Sequence, residues 1–448
     1  MRIGFAKRDL TPRVGVELCG FGPFVNRKSV GIRDRLWARA MALEQGDARA
    51  VLVACDLIGV TREITHEVRR RVADATGLPG KALMISCSHT HSGPNPSPER
   101  IGWGAYDPPY AELLPGRIAA ACIEALGATR PATLSHAEVP CEGIGRNREV
   151  KWQAPPLREV LQDDWRPEHP ERTDTTCHVI KAEADGELLG FAGYFGCHPV
   201  VCCQDNRWIH GDFAGVATNM LEREHPGSVG LFLQGANGDV NTCVAHQPQQ
   251  ESLLALDVIA ARYANSVHAG LQAAEPIETG PPTCAVREVE FTRRQPSEEE
   301  LRAHLAKAEE MMQAPDADDE DREVRMATVR ALALRRILGR MEDGRFPAPS
   351  TEVAALRIGP LMLLGSPFET FQAIKNEVHE KASSPIPLVM SLVNDGAGYA
   401  PDRETTDRGG YAVETGPLIH ADLPYARAHE ELVEALLGIE QEVLQDRD

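Results

Sequence analysis

Short apolar runs alternate with amphipathic stretches over residues 1 to 290 of the chain. The apolar runs favour buried strands, and the amphipathic stretches favour helices that place one face against a sheet. Gly or Pro closes several of the helical stretches, as expected where a helix stops. The alternation predicts an α/β (α+β) fold of layered mixed β-sheets flanked by helices. The predicted strands are ARAMALEQ, ARAVLVACD, KALMISCS, ATLSHAEVP, CHVIKAEA, LLGFAGYFGC and VGLFLQG, and the predicted helices are TREITHEVRRRVADATG, PYAELLPGRIAAACIEALGA, GDFAGVATNMLEREHPG and SLLALDVIAARYANSVHAGLQAA.

Residues 296 to 345 have a different pattern, with two charged, helix-forming stretches. PSEEELRAHLAKAEEMMQ and DREVRMATVRALALRRILGRMEDG are separated by the acidic segment PDADDED. The pattern predicts an inserted helical hairpin at the surface, with an apolar stripe packed against the main domain.

The chain after residue 345 returns to strands and helices. TEVAALRIG and PLMLLGSP predict a β-hairpin with its turn at Gly359-Pro360, and a helix is predicted from about Thr370. The segment DLPYARAHEELVEALLGIEQEVL predicts a closing helix. No internal repeat and no long linker divides the chain. The sequence therefore predicts a single domain over residues 1–448, with the helical hairpin at 296–345 inserted within it.

The charge balance is acidic, with 47 Lys and Arg against 66 Asp and Glu, a formal net charge of -19. Such a surface repels phosphate backbones and anionic lipid, which argues against nucleic acid as a partner. No segment approaches the ~20 consecutive apolar residues that cross a bilayer, so no stable membrane insertion is predicted. The N-terminal MRIGFAKRDLTPRVG lacks the apolar region of a secretion signal, which predicts a cytoplasmic protein. A homo-oligomer is compatible with this composition.

The 11 cysteines are scattered through apolar runs such as VACDL and FGCHPVVCC. Cysteines in such runs are usually buried and reduced. No CxxC pair occurs, which argues against a cysteine-rich structural zinc site. A thiolate site formed by Cys197, Cys202 and Cys203 around His198 stays open as an alternative.

Three apolar strands each lead into a side chain that can bind a metal ion. KALMISCS is followed by His89 and His91, LLGFAGYFGC by His198, and PLMLLGSPF by Glu369. In an extended chain, residues i and i+2 face the same side, so His89 and His91 are expected to address one pocket. Two imidazoles and a carboxylate are a common catalytic zinc set that leaves a position for water. The pattern marks these residues as a candidate metal site, although each motif on its own is weak evidence for metal binding.

The order of several motifs resembles a known family. HTHSGP after a strand is followed by Asn147-Arg148, GCHP, GDV and then PFE before a loop rich in Gly and Tyr. GIRDRLWARAMAL followed by AVLVACD adds to the likeness. This order resembles the catalytic N-terminal domain of the neutral/alkaline (non-lysosomal) ceramidase family, over nearly all of the chain except 296 to 345. The resemblance implies a short form without the family's C-terminal immunoglobulin-like domain.

The resemblance implies a zinc cofactor and its ligands. His89 matches the first histidine of the HxH motif, and His198 matches the histidine of the HP motif. Glu369 stands where the family has the glutamate of its GEF segment, and Tyr399 resembles the tyrosine that completes the zinc site. In this family, water bound to zinc attacks a carbonyl group.

The resemblance also implies residues that contact the substrate. His91, Arg148 and Tyr411 match residues that contact the carbonyl oxygen and would stabilise the oxyanion. Asn241 replaces a serine that contacts the headgroup in ceramidases, and an amide cannot be a nucleophile. The implied activity is that of an amidohydrolase acting on linear amides, which hydrolyses an amide (N-acyl) bond in a small acyl-amide substrate. The change at Asn241 favours a substrate other than ceramide itself.

Other assignments stay open at this point. A zinc esterase or lactonase would use the same groups, and a non-catalytic binding protein could keep the same fold. Asp56 is either a hydrogen-bond partner of a ligand histidine or a turn cap. His210 competes with His198 as a ligand, whereas Asp212 is more simply the N-cap of the following helix.

Overall fold

The computed structural model describes residues 1–22, 25–98, 100, 103–345 and 350–445. The strands are β1 (Arg2–Asp9), β2 (Gly31–Ile32), β3 (Trp37–Gln45), β4 (Ala48–Cys55), β5 (Leu83–Cys87), β6 (Arg130–Pro131), β7 (Thr133–Pro140), β8 (Gly145–Asn147), β9 (Thr176–Ala184), β10 (Glu187–Phe195), β11 (Trp208–Ile209), β12 (Val229–Gln234), β13 (Val240–Thr242), β14 (Glu275–Pro276), β15 (Thr283–Val289), β16 (Thr351–Ile358), β17 (Leu361–Gly365), β18 (Glu369–Thr370), β19 (Ile386–Met390) and β20 (Tyr399–Ala400). The helices are α1 (Arg62–Thr76), α2 (Pro108–Gly127), α3 (Leu157–Val160), α4 (Asp212–Glu224), α5 (Gln249–Ala273), α6 (Glu298–Met312), α7 (Arg322–Glu342), α8 (Gln372–Lys381), α9 (Arg403–Arg408), α10 (Gly416–Ile419) and α11 (Ala428–Gln445).

The first sheet has the strand order β5-β4-β3-β1-β6. β4 and β5 run parallel, and the other neighbours run antiparallel. Helices α1 and α2 cover one face of this sheet, where Val68 and Ile118 join Val51 and Val53 in a buried cluster. The apolar positions of both helices recur on the face that meets the sheet, as amphipathic helices require.

The second sheet has the order β12-β10-β9-β7-β14, and the third has the order β15-β16-β17-β19. Helices α4 and α5 cover the second sheet, and α8 and α11 cover the third. In each sheet one strand pair is parallel, β10 with β12 and β17 with β19. The predicted hairpin around Gly359-Pro360 is confirmed, because β16 and β17 pair antiparallel with Ile358 opposite Leu361.

A central core joins the inner faces of the three sheets. Leu52 from the first sheet, Leu233 from the second and Leu363 from the third belong to one buried cluster and are fully inaccessible to solvent. The prediction of layered mixed sheets flanked by helices is confirmed. Because the sheets share a core, the ends of β5, β10 and β17 come together at one place.

Helices α6 and α7 pack against each other, and α7 also contacts α10. A capping box opens α6: the Ser297 hydroxyl accepts from the backbone N–H of Glu300, whose carboxylate accepts from the backbone N–H of Ser297. Leu301, Leu334 and Leu423 lie in a small apolar cluster between these elements. That this pair is an insertion into a single domain stays a prediction.

All eleven cysteines are free, and ten of them are buried. Among the residues that the structure describes, no helix is both long and apolar enough to cross a membrane.

Candidate metal centre

Three strand ends deliver the side chains of the candidate site. His89 follows β5 and His198 follows β10, while Glu369 begins β18, a few residues after β17. His89 has a backbone φ of 68°, in the left-handed region. The expectation of an extended chain from His89 to His91 is therefore wrong, because the chain turns at the first histidine.

The turn at His89 is held by contacts with a neighbouring loop. The backbone N–H of His89 donates to the carbonyl oxygen of Leu57 at 2.9 Å, and the ring nitrogen Nδ1 lies 2.6 Å from the carbonyl oxygen of Ile58. A left-handed conformation costs a non-glycine residue about 1–2 kcal/mol. These two hydrogen bonds offset that cost and aim the ring into the site.

The two strand-end histidines converge on one carboxylate oxygen. Nε2 of His89 and Nε2 of His198 each lie 3.3 Å from Oε2 of Glu369. The centroids of the two rings are 4.5 Å apart. All three side chains are buried. Three atoms with lone pairs therefore face one point among buried side chains.

The tautomers of the rings follow from their second nitrogens. Nδ1 of His198 lies 2.9 Å from the carbonyl oxygen of Asn237, and Nδ1 of His89 lies 2.6 Å from that of Ile58. A carbonyl oxygen only accepts, so in each neutral ring Nδ1 carries the proton and Nε2 presents a lone pair. Burial holds the pKa of His198 well below its usual value, which favours the neutral ring. Within the described residues, Nε2 of His198 and Oε2 of Glu369 have no hydrogen-bond donor.

These groups fit a zinc ion. Two imidazole Nε2 atoms and a carboxylate are ligands that Zn²⁺ prefers, and a backbone carbonyl behind each ring is the usual arrangement around a bound metal. Without a cation, the buried carboxylate oxygen would face two lone pairs and no donor, which is unfavourable.

His91 lies beside the same cluster. Its ring centroid is 4.8 Å from that of His89 and 5.3 Å from that of His198. Ligand atoms of the three histidines all lie within 4.8 Å of one another. Burial lowers the pKa of His91 well below its usual value, so the ring is neutral. The distances permit His91 either to bind the metal ion or to contact a substrate next to it.

Arg148 brings a fixed positive charge to the site. Its guanidinium donates to the carbonyl oxygen of Gly238 at 2.5 Å and to Oδ1 of Asn241 at 3.3 Å. It lies 5.3 Å from the centroid of the Tyr399 ring. Burial disfavours the charged form, but the neighbouring Tyr399 and Glu369 outweigh this effect and raise the pKa of Arg148. The sequence placed Arg148 and Asn241 in one site, and the structure brings them together.

Tyr399 and Tyr411 complete the predicted set. β18 and β20 pair in parallel with Tyr399 opposite Glu369, and the ring centroids of the two tyrosines are 5.8 Å apart. Tyr411 begins a π-helical turn that ends at Thr415. Burial, followed by the negative charge of Glu369, raises the pKa of the Tyr399 hydroxyl well above its usual value, which keeps it protonated.

All eight predicted site residues line one cavity of about 390 Å³. The cavity wall also includes residues that were not among the eight predicted ones, most of which come from loops and from α7 and belong to no recognisable motif. These residues are Gly20, Phe21, Gly22, Ile58, Trp103, Trp152, Val200, Cys203, Gln204, Ala245, His246, Arg322, Met326, Gly416 and His420.

Two further sequence hypotheses are wrong. Asp56 does not support a ligand histidine; its carboxylate accepts from Arg39 at 2.7 Å and from the backbone N–H of Trp37 at 3.0 Å. Asp212 is the first residue of α4 and not its N-cap, which is Gly211.

His210 lies in a separate buried group with Cys202 and Asp212. Nδ1 of His210 accepts the backbone N–H of Asp212 at 3.1 Å, so the proton of the neutral ring is on Nε2. His210 is therefore not a competitor of His198. Burial raises the pKa of Cys197 well above its usual value, which disfavours a thiolate beside His198.

A family model described as "Neutral/alkaline non-lysosomal ceramidase, N-terminal" matches residues 1–269. The neutral ceramidase of Mycobacterium tuberculosis is 25% identical over 266 residues, which cover 54% of this chain and 40% of that protein. The neutral ceramidase of Pseudomonas aeruginosa is 25% identical over 256 residues, 54% of this chain and 37% of that protein. The matched part thus spans less than half the length of these curated relatives.

The fold is also similar to solved structures. A crystal structure of neutral ceramidase from Pseudomonas aeruginosa superposes with a TM-score of 0.74 and 19% sequence identity, over 99% of this chain and 75% of that chain. A structure described as "Ceramidase complexed with C2" gives the same values. The similarity therefore extends over the fold of nearly the whole chain.

Proposed function

Because this chain belongs to the neutral/alkaline non-lysosomal ceramidase family, we propose that it is a zinc-dependent hydrolase that cleaves an amide (N-acyl) bond. One observation carries the proposal: Nε2 of His89 and Nε2 of His198 face the same oxygen of Glu369, each at 3.3 Å. This arrangement lies in a cavity that also presents the guanidinium of Arg148.

His89, His198 and Glu369 would hold the zinc ion, with Tyr399 as a fourth ligand. When bound, zinc supplies Lewis acidity towards a carbonyl group and activates water near neutral pH. The carbonyl oxygens of Ile58 and Asn237 fix the ring orientations on which this binding depends.

His91, Arg148 and Tyr411 would bind the carbonyl oxygen of the scissile amide. The guanidinium of Arg148 is held by Gly238 and Asn241 before any substrate arrives. A donor that is fixed in advance needs little reorganisation when negative charge develops on that oxygen. Burial at this position strengthens the interaction further.

Asn241 would contact the part of the substrate beyond the scissile bond. Its Oδ1 already accepts from Arg148, so its amide nitrogen is the group available to a ligand. A serine at this position would offer a shorter and rotating hydroxyl, so a substrate other than ceramide is proposed.

The test combines metal analysis with hydrolysis of a panel of N-acyl amides and their matched esters. His89→Ala and His198→Ala are expected to lose both the zinc and the activity, whereas His304→Ala, on exposed helix α6, is expected to lose neither. Preference for the amides over the esters is expected in the wild type. Full activity in either of the first two variants, or in protein freed of zinc, would contradict the proposal.

A further inference from the structure

The charged groups of the cavity wall are unevenly distributed. Arg148, Arg322 and Glu369 are the charged side chains among the described residues that line it, apart from histidines. Glu369 faces His89 and His198, the proposed metal ligands. The rest of the wall, as far as the described residues form it, therefore has two guanidinium groups and no carboxylate, in a chain whose net charge is -19.

Arg322 differs from Arg148 in having no hydrogen-bond or ion-pair partner among the residues that the structure describes. It is exposed, and within the described parts of the chain its side chain makes no hydrogen bond and no ion pair. The neighbouring Asp321 uses its carboxylate to accept the backbone N–H of Glu323. Asp321 and Glu323 are exposed and do not line the cavity. The Arg322 charge is therefore available to a ligand.

Arg322 shares the cavity wall with Tyr411, one of the residues proposed to contact the substrate. His246 lines the same cavity, and the side chains of Arg322, Tyr411 and His246 are all exposed. The ring of His246 lies 6.3 Å from that of Trp152, and Arg146 holds the carbonyl oxygen of Trp152 at 3.0 Å. The guanidinium of Arg322 is thus part of the same cavity wall as Trp152, His246 and Tyr411.

We propose that this site takes N-acyl compounds that carry an anionic group, such as a carboxylate, and that Arg322 binds this group. The proposal rests on the proposed function and adds the substrate class. A chain with this acidic surface repels anions in general, so a local positive wall is needed to attract one. A neutral substrate would gain little from a free guanidinium at this place. Arg322 begins α7, so the helix pair α6 and α7 would contribute to specificity.

The test uses two probes that differ by one charge, N-hexanoylglycine and its neutral counterpart N-hexanoylglycinamide. Each probe is characterised on the zinc-loaded protein by kcat/KM where it is cleaved, and by Kd from titration calorimetry where it is not. We expect the wild type to prefer the carboxylate and to lose part of this preference at high salt. Arg322→Gln is expected to reduce the preference about three-fold and Arg322→Glu about ten-fold, mainly through KM or Kd.

Arg325→Gln is the matched control, because Arg325 lies on the same helix and does not line the cavity. This variant is expected to keep the full preference. The inference would be overturned if Arg322→Glu kept the preference for the carboxylate probe. It would also be overturned if the wild type gave equal kcat/KM or Kd values for the two probes, or bound neither of them. Absence of cleavage of both probes together with selective binding of the carboxylate would instead contradict the proposed function and support the inference.

Discussion

At the scale of single residues, the site is defined by which atoms can accept and which can donate. The carbonyl oxygens behind His89 and His198 leave both Nε2 atoms as acceptors beside Oε2 of Glu369. On the other side, Arg148 can only donate. The carbonyl group of a substrate would fit between a cation held by these three acceptor atoms and the donating guanidinium of Arg148, which would together polarise it.

Arg148→Ala is expected to keep the zinc ion and to lose about 10²- to 10³-fold in kcat, as when one oxyanion donor is removed. The reason is that Arg148 contacts Gly238, Asn241 and the Tyr399 ring but lies outside the group of ligand atoms. Zinc content and kcat on an N-acyl amide are the measurements. Arg148→Lys keeps the charge but cannot donate to both oxygens in a planar fork, so an intermediate rate is expected. Unchanged turnover in Arg148→Ala would remove Arg148 from the proposed oxyanion site.

At the scale of elements, the loop between β1 and β2 fixes the position of His91. A Cβ added to Gly20 would lie 2.4 Å from Nδ1 of His91, and Gly20 has a φ of +97°. Gly15, in the same loop, has a φ of +99°, and the nearest atom to an added Cβ is Nη1 of Arg13 at 4.0 Å. The two glycines therefore have the same backbone requirement but different surroundings.

This pair separates backbone strain from displacement of His91. Gly20→Ala and Gly15→Ala are both expected to lose about 1–2 kcal/mol of unfolding free energy, because each forces alanine into a left-handed conformation. Only Gly20→Ala is expected to lose activity, by about ten-fold or more, because the His91 ring must move. Chemical denaturation and kcat of both variants check this. Equal activity of the two variants would show that the position of His91 does not matter for the reaction.

The sequence predicts individual elements well where their pattern is local. KALMISCS contains β5, and the run before Gly359 becomes β16, because alternation of buried side chains is set by neighbouring residues. The left-handed turn at His89 was not predicted, because it depends on carbonyl oxygens some thirty residues away. Likewise, the place of Arg322 in the cavity wall was not predicted, because it depends on how α7 packs in the folded protein. Candidate ligands were therefore predictable from motifs, whereas the wall around them was not.

At the scale of the whole molecule, each sheet contributes one proposed ligand. His89 follows a strand of the first sheet and His198 a strand of the second, while Glu369 follows β17 of the third. The buried core shared by the three sheets holds these strand ends in place. A bound ion would therefore connect three parts of the fold that are far apart in the sequence.

Removal of the metal ion is accordingly expected to destabilise the whole fold. A ligand that binds only the native state adds about 2.7 kcal/mol when its free concentration is 100 times its dissociation constant. The wild type freed of zinc by a chelator should melt several degrees lower than the zinc-loaded protein, and added zinc should restore the Tm. In His198→Ala the Tm values of the zinc-loaded and the zinc-free protein should coincide, because one of the three proposed ligands is missing. Arg148→Ala should keep the full difference between these two Tm values. A Tm that does not respond to zinc in the wild type would mean that the three sheets do not share an ion, whatever the distances between His89, His198 and Glu369 suggest.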